Sequence, residues 1–166
     1  MEIVIYGALC PEGGERLLAR RLLALALERE CGVSGLPEMA AAEGGKPCFP
    51  ARPELQFNLS HSRGAAVCAL HHLPIGVDVE RLRPAPQKLS RRMGCAGDEA
   101  FFRLWTAKEA TIKRQGRTLS ALLSPLEPDP ACRCFMDFLP GWVVTVCPSE
   151  EGDIRLVRIV EEMNPL

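Results

Sequence analysis

Two helix-like stretches, each accompanied by short runs of strand character, constrain the fold of this chain more than any other feature. Residues 15–30 place Leu18, Leu22 and Leu25 on one face, follow Gly13-Gly14, and stop before Gly32, a C-cap residue. The second stretch opens at Gly97-Asp98, with Asp98 as N-cap, runs to about Gln115 and stops at Gly116. Strand patterns cover residues 2–6, 56–59, 65–70 and the run that starts at Pro74, and return near 132–138, 142–147 and 154–160. Gly44-Gly45-Lys46-Pro47 reads as a turn. Residues 81–97 read as a loop rich in Pro, Arg and Gly, and 119–131 as a Pro-containing connection. Each half thus carries a helix and several strands. The long βαβ alternation of a doubly wound sheet is missing, so the fold class is α+β. A chain of 166 residues suffices for one ordinary domain or two small fused lobes.

The charge balance narrows the partners. With 20 basic and 21 acidic residues the formal charge is −1, so no global basic field draws the chain to nucleic acid or membrane. Any anion binding must come from local clusters. No stretch is apolar for long enough to span a bilayer. Met1-Glu2-Ile3-Val4-Ile5 lacks the basic and apolar regions of a secretory signal, which gives a cytoplasmic expectation. The eight cysteines include no Cys-x-x-Cys pair, and Cys132-Arg133-Cys134 makes a poor zinc site. They are expected to be reduced and mostly buried.

Two segments carry the chemistry. In Gly76-Val77-Asp78-Val79-Glu80 the strand alternation turns Asp78 and Glu80 to one face. In the second helix Phe101, Leu104, Trp105 and Ile112 form the apolar stripe. Lys108 falls within that stripe, and Glu109 and Lys113 flank it four residues apart. Each feature has an ordinary reading: solvent-facing acids on a strand, a lysine whose stem is buried, a surface ion pair. Together, three carboxylates beside lysines suit a Mg²⁺-dependent reaction on a phosphate ester. Hard oxygens hold the metal, and cations balance phosphate oxygens. Asn58-Leu59-Ser60-His61-Ser62 reads as a tight turn between strands that can offer N–H groups and Ser oxygens to a phosphate. His61 alone reads equally as a structural side chain, and Lys46 beside Pro47 as a solvated turn lysine.

The order of the pieces is more specific than any one of them. Gly45-Lys46-Pro47, Phe57-Asn58-Leu59-Ser60-His61-Ser62, Gly76-Val77-Asp78-Val79-Glu80 and Phe102-x-x-Trp105-Thr106-x-Lys108-Glu109-Ala110-x-x-Lys113-x-x-Gly116 follow one another along residues 44–120. This array resembles the 4′-phosphopantetheinyl transferases, in the two-lobed, surfactin-synthetase-activating class, here as a short variant. The resemblance implies transfer of phosphopantetheine from coenzyme A to a serine of an acyl or peptidyl carrier protein, with Mg²⁺ (or Mn²⁺) and release of adenosine 3′,5′-bisphosphate. It implies Asp78, Glu80 and Glu109 as metal ligands. Glu109, Glu80 or a metal-held water would take the serine proton, and Lys113 would hold pyrophosphate oxygens. Lys108 would join that cluster, Ser60 and His61 would meet the phosphates of coenzyme A, and Lys46 and Pro47 would lie beside the adenine and its 3′-phosphate. Trp105 would be a core anchor that fixes Glu109. The implied architecture is two similar lobes related by a pseudo-twofold axis, residues 1–74 and 75–166, with coenzyme A between them in a monomer. Arg81, Arg83, Arg91 and Arg92 supply positive charge suited to an acidic carrier protein. Two other readings compete: a relative that binds coenzyme A or a carrier protein without catalysis, and a Mg²⁺-dependent phosphoesterase.

Overall fold

The computed structural model describes residues 2–117 and 127–160. Its first sheet has the strand order β4-β5-β1-β9. The strands are β1 (Ile3–Leu9), β4 (Gln56–Ser62), β5 (Ala65–His71) and β9 (Ile154–Ile159). Every position of β5 is buried. A strand covered on both faces loses the polar half of the usual alternation, which explains the run Ala-Ala-Val-Cys-Ala-Leu. On one face Val4, Tyr6, Ala66, Cys68 and Leu70 pack against helix α1 (Glu15–Cys31) through Leu18, Leu22, Leu23, Ala26 and Leu27. Leu25 is only partly buried, whereas Leu23 and Leu27 are fully buried in this core. Gly32 ends α1 at φ 65°, as a left-handed C-cap must.

On the other face Ile3, Ile5, Ala65, Val67 and Ala69 meet a second sheet. It has the order β6-β8-β7, from β6 (Gly76–Arg81), β8 (Trp142–Cys147) and β7 (Arg133–Phe135), all antiparallel. Val77, Val79, Val144 and Val146 face the first sheet. Their neighbours face the opposite way, under helix α3 (Asp98–Arg114), where Phe101 and Phe102 pack with Val143. The layers are therefore α1, first sheet, second sheet, α3. This is an α+β fold, as the sequence predicts. Two short strands, β2 (Ala40–Ala41) and β3 (Pro47–Cys48), and a 3-10 turn at Glu43–Gly45 fill the connection after α1.

Several local expectations are corrected. Residues 81–97 are not all loop; a short helix, α2 (Gln87–Arg92), interrupts them. Gly97, not Asp98, is the N-cap of α3. The Asp98 carboxylate instead accepts from the Ala85 N–H at 2.8 Å, which ties the loop after β6 to the helix start. Ser60, His61 and Ser62 lie inside β4, paired with Val67, Ala66 and Ala65; the turn is Arg63-Gly64. Of the expected connection at 119–131, residues 119–126 lie outside the described residues. The final strand does not stay with the second half: β9 pairs in parallel with β1 from Ile3↔Ile154 to Ala8↔Ile159.

Candidate active site

The site grows from a strand edge without a strand beside it. β6 is the edge of its sheet, and its outward N–H groups need partners. Side chains of β4 supply them. Asn58 Oδ1 accepts from the Val77 N–H at 2.8 Å and Ser60 Oγ from the Val79 N–H at 3.3 Å. Asn58, Ser60 and Ser62 alternate along β4, so all three face β6. Ser60 Oγ also donates to Asp78 Oδ1 at 2.7 Å, and Ser62 Oγ donates to Glu80 Oε2 at 3.1 Å. The first sheet thus holds both the backbone and the carboxylates of β6.

Helix α3 completes the cluster from above. Gly76 allows it to: a Cβ there would sit 1.9 Å from the Ala110 carbonyl oxygen and 2.7 Å from the Arg114 nitrogen. The helix backbone therefore rests directly on the start of β6. Two pairs further along, Thr106 Oγ1 and Thr145 Oγ1 share a buried hydrogen bond of 2.7 Å, and Thr145 stands opposite Asp78 in the β6–β8 register. These contacts bring Glu109 and Lys113 over Asp78.

Asp78, Glu80 and Glu109 each offer an oxygen within 4.8 Å of the others. Asp78 is 2% exposed. Its Oδ1 takes Lys113 Nζ at 2.6 Å as well as Ser60, while its buried Oδ2 has no hydrogen-bond partner among the described residues. A buried carboxylate oxygen without a donor costs about 1–3 kcal/mol or more, so Oδ2 is open to a cation or to a proton shared with Glu109. Lys113 also reaches Ser60 Oγ at 2.9 Å and Glu109 at 3.5 Å. Burial works against its charge, but Asp78 and Glu109 outweigh this and hold its pKa above the usual lysine value. Burial, with the neighbouring Asp78 charge, pushes the Glu109 carboxyl up to about 8 despite Lys113. Arg83 caps the other end, donating to Glu80 at 3.0 Å with its guanidinium 4.7 Å from the centre of the Phe102 ring. Three hard oxygen donors, one of them bare and buried, fit a divalent cation such as Mg²⁺ or Mn²⁺.

Beside this cluster lies a cavity of about 160 Å³ lined by Gly44, Lys46, Asn58, Lys113, Gly116 and Arg117, among others. Lys46 Nζ donates to the Ile75 carbonyl at 2.8 Å. Burial and the like charge of Arg114 lower its pKa to about 8. Gly44 sits at φ +80°, and a Cβ there would lie 1.7 Å from the Gly116 carbonyl oxygen, so the turn after α1 closes against the end of α3. Among the described residues, cations and no carboxylate line this cavity, which therefore suits an anion.

The described geometry sorts the sequence candidates. Asp78, Glu80, Glu109, Lys113 and Ser60 come together, and Lys46 lines the adjoining cavity. Pro47 is exposed in β3, paired with Ala41. His61 is exposed on the face of β4 opposite Ser60. Lys108 is half-buried and makes no hydrogen bond or ion pair with a described residue. Trp105 is half-buried and stacks on Phe101 at 5.7 Å, at the rim of the cluster rather than enclosed by it. Reading the Ser-His segment as a turn missed the roles of Asn58 and Ser62. The alternation Asn-x-Ser-x-Ser was the available signal.

The comparisons with known proteins agree with this geometry. Residues 74–133, from the start of β6 through α3, match the model of the 4′-phosphopantetheinyl transferase superfamily. The 4′-phosphopantetheinyl transferase AcpT of Salmonella typhi is 33% identical over 85% of this chain and 82% of its own length. The chain belongs to the 4′-phosphopantetheinyl transferase family. Within this family of enzymes it is also 29% identical to the transferase Sfp of Bacillus subtilis (strain 168), over 72% of this chain and 67% of Sfp. It is 37% identical to the transferase HetI of Nostoc sp. (strain PCC 7120), over 69% of this chain and 57% of HetI. The superfamily match covers Asp78, Glu80, Glu109 and Lys113, so the cluster built by β6 and α3 lies in the matched part of the chain.

Proposed function

We propose that this chain transfers the 4′-phosphopantetheine arm of coenzyme A to a serine of an acyl or peptidyl carrier protein, with adenosine 3′,5′-bisphosphate as the second product. The observation that carries the site assignment is the bare, buried Oδ2 of Asp78 at the centre of the Asp78–Glu80–Glu109 group, next to a cation-lined cavity.

Asp78, Glu80 and Glu109 would hold Mg²⁺ or Mn²⁺. When bound, the metal supplies charge neutralisation at the pyrophosphate oxygens of coenzyme A. Lys113 lies beside the same three carboxylates and offers its ammonium to those oxygens. Lys46 and Arg117 present positive charge to further phosphate groups in the cavity. Burial lowers the Lys46 pKa to about 8, and an anion beside it restores its charge. In the transfer, the carrier serine Oγ forms a bond to the β-phosphorus as the bond to the adenosine bisphosphate oxygen breaks. The serine proton passes to a carboxylate. Glu109 and Glu80 are the two at hand. Ser60 and Ser62 keep Asp78 and Glu80 aimed at the reacting groups. Arg81, Arg91 and Arg92 are exposed around the loop after β6 and offer a positive approach to an acidic carrier.

The same reading divides the chain into a lobe at 1–74 and a lobe at 75–166, related by a pseudo-twofold axis, with β9 exchanged into the first sheet. One chain carries both the Ser60 and the Asp78 segments, so a monomer suffices. Among the described residues no helix is long and apolar enough to cross a membrane.

The test is the intact mass of a panel of apo carrier proteins after incubation with this protein, coenzyme A and Mg²⁺. A gain of one phosphopantetheine arm on a carrier serine is expected, and it should vanish when a chelator removes the metal. Coenzyme A binding without any gain would reject transfer in favour of a binding role. Adenosine bisphosphate released without carrier modification would point to hydrolysis.

A further inference from the structure

Below α3, away from the carboxylates, two cysteines face each other across the second sheet. β7 and β8 pair from Arg133↔Val146 to Phe135↔Val144, and the same register carried one residue outward sets Cys132 opposite Cys147. Opposed residues of an antiparallel pair have Cβ atoms about 4.5–5.5 Å apart, against about 3.5–4.5 Å in a disulfide, so an approach of about 1 Å suffices. Both sulfurs already converge on one group. Thr111 Oγ1, on α3 between Glu109 and Lys113, is 3.4 Å from Cys132 Sγ and 3.7 Å from Cys147 Sγ. That hydroxyl donates to the Ala107 carbonyl at 2.8 Å and accepts from the Asp129 N–H at 3.0 Å, so it is held in place between the two sulfurs. Cys147 is buried, and Cys132 is half-buried.

The two thiols are also electronically unlike. Hydrogen bonding from the Cys147 thiol, aided by Thr111 and Arg114, outweighs burial and lowers the Cys132 pKa to about 7. The same contact raises that of Cys147. Such a pair has an attacking thiolate on the accessible side and a resolving thiol behind it. Cys134 is not an equivalent partner for Cys132. It lies two residues along the same strand, about 7 Å away, and stands opposite Thr145.

We propose that Cys132 and Cys147 form an oxidisable dithiol that closes to a cross-strand disulfide beneath α3. With a small disulfide such as oxidised glutathione as oxidant, the Cys132 thiolate attacks one sulfur and the first small thiol leaves. Cys147 sulfur then attacks Cys132 Sγ and the second small thiol leaves. The protein gives up two protons and two electrons, and the oxidant becomes two thiols. Closure changes what Thr111 Oγ1 touches, on the turn of α3 that carries Glu109 and Lys113.

The full chain, folded and at neutral pH, is incubated with oxidised glutathione, alkylated and digested without reduction. Cleavage after Arg133 leaves Cys134 and Cys147 in one peptide, so the C134S variant is run beside the native chain. The expected result is a Cys132–Cys147 linked peptide in both, loss of two of the eight alkylatable thiols in the native chain, and full recovery with dithiothreitol. C147S should instead hold a stable glutathione adduct on Cys132. A native chain that accumulates that adduct without a linked peptide would overturn the proposal. So would a link that forms only in denaturant, or one that joins Cys132 to another cysteine.

Discussion

Glu109 carries the most informative charge in the molecule. Its folded pKa of about 8 lies far above the ordinary glutamate value, because burial and Asp78 disfavour a further negative charge. Between about pH 4.3 and about pH 8 the folded, metal-free protein keeps a proton that the unfolded chain has released. Stability must then fall as pH rises through that window, since the native state binds more protons than the unfolded state. Glu109→Gln cannot titrate and removes this term. In chelator, the urea midpoint of the native chain should therefore drop more steeply from about pH 5 to about pH 8 than that of the variant. Parallel slopes would mean that Glu109 ionises normally in the folded state. Strand and helix periodicity paired Asp78 with Glu80 and Glu109 with Lys113, and only the order of motifs that resembles the family joined the two pairs into one candidate site. The sequence did not show the loss of ordinary acidity at Glu109. That depends on how many groups of other elements surround the carboxyl, and periodicity within one helix contains no such information.

The decisive element contact is that of α3 on β6. Sequence pattern located both elements within a few residues, since caps, glycines and apolar spacing mark their ends. It gave no account of Gly76, whose backbone is ordinary in conformation and whose reason for being glycine is another element lying on it. Gly76→Ala would put a methyl group 1.9 Å from the Ala110 carbonyl oxygen, a backbone atom that cannot rotate aside. The helix has to lift, which separates Glu109 and Lys113 from Asp78 while Asp78 stays fastened to β4 through Ser60. A loss of about 1–3 kcal/mol in stability is expected from such overpacking. Carrier modification should fall much further than that stability loss alone explains, with a raised Mg²⁺ requirement, because the three carboxylates no longer converge. A variant that unfolds early but keeps the native metal requirement below its melting temperature would show that the close approach serves stability alone. The Asn58–Ser60–Ser62 row belongs to the same scale. Its alternation was visible, yet reading the segment as a turn hid that its side chains stand in for a missing neighbouring strand.

At the scale of the whole molecule, the chain closes on itself through its last described strand. β1 is an interior strand only because β9 returns from the second half to pair with it in parallel. Short strand runs in sequence say nothing about which sheet they join, so dividing the chain by position at residue 74 could not anticipate this crossing. The physical consequence is cooperativity between halves. β9 contributes Ile154 and Leu156 to the core between the two sheets, and Val157 and Ile159 to the core beneath α1. Removing it uncovers both cores at one edge and leaves the N–H and C=O groups of β1 unpaired. A chain ending at Asp153 is therefore expected to lose both halves together: a single, strongly lowered urea transition, association through the bared edge of β1, and no carrier modification. Loss confined to the first sheet would look different. The second sheet and α3 would then keep a separate transition, and Trp142, whose indole N–H donates to the Ser62 carbonyl across the seam, would report two steps in fluorescence instead of one. That result would make the halves independent folding units, with the Asp78 site assembled only when they dock. A single transition would make the site a property of the entire fold, since the groups that aim Asp78 and Glu80 come from the first sheet and the groups that cover them come from α3.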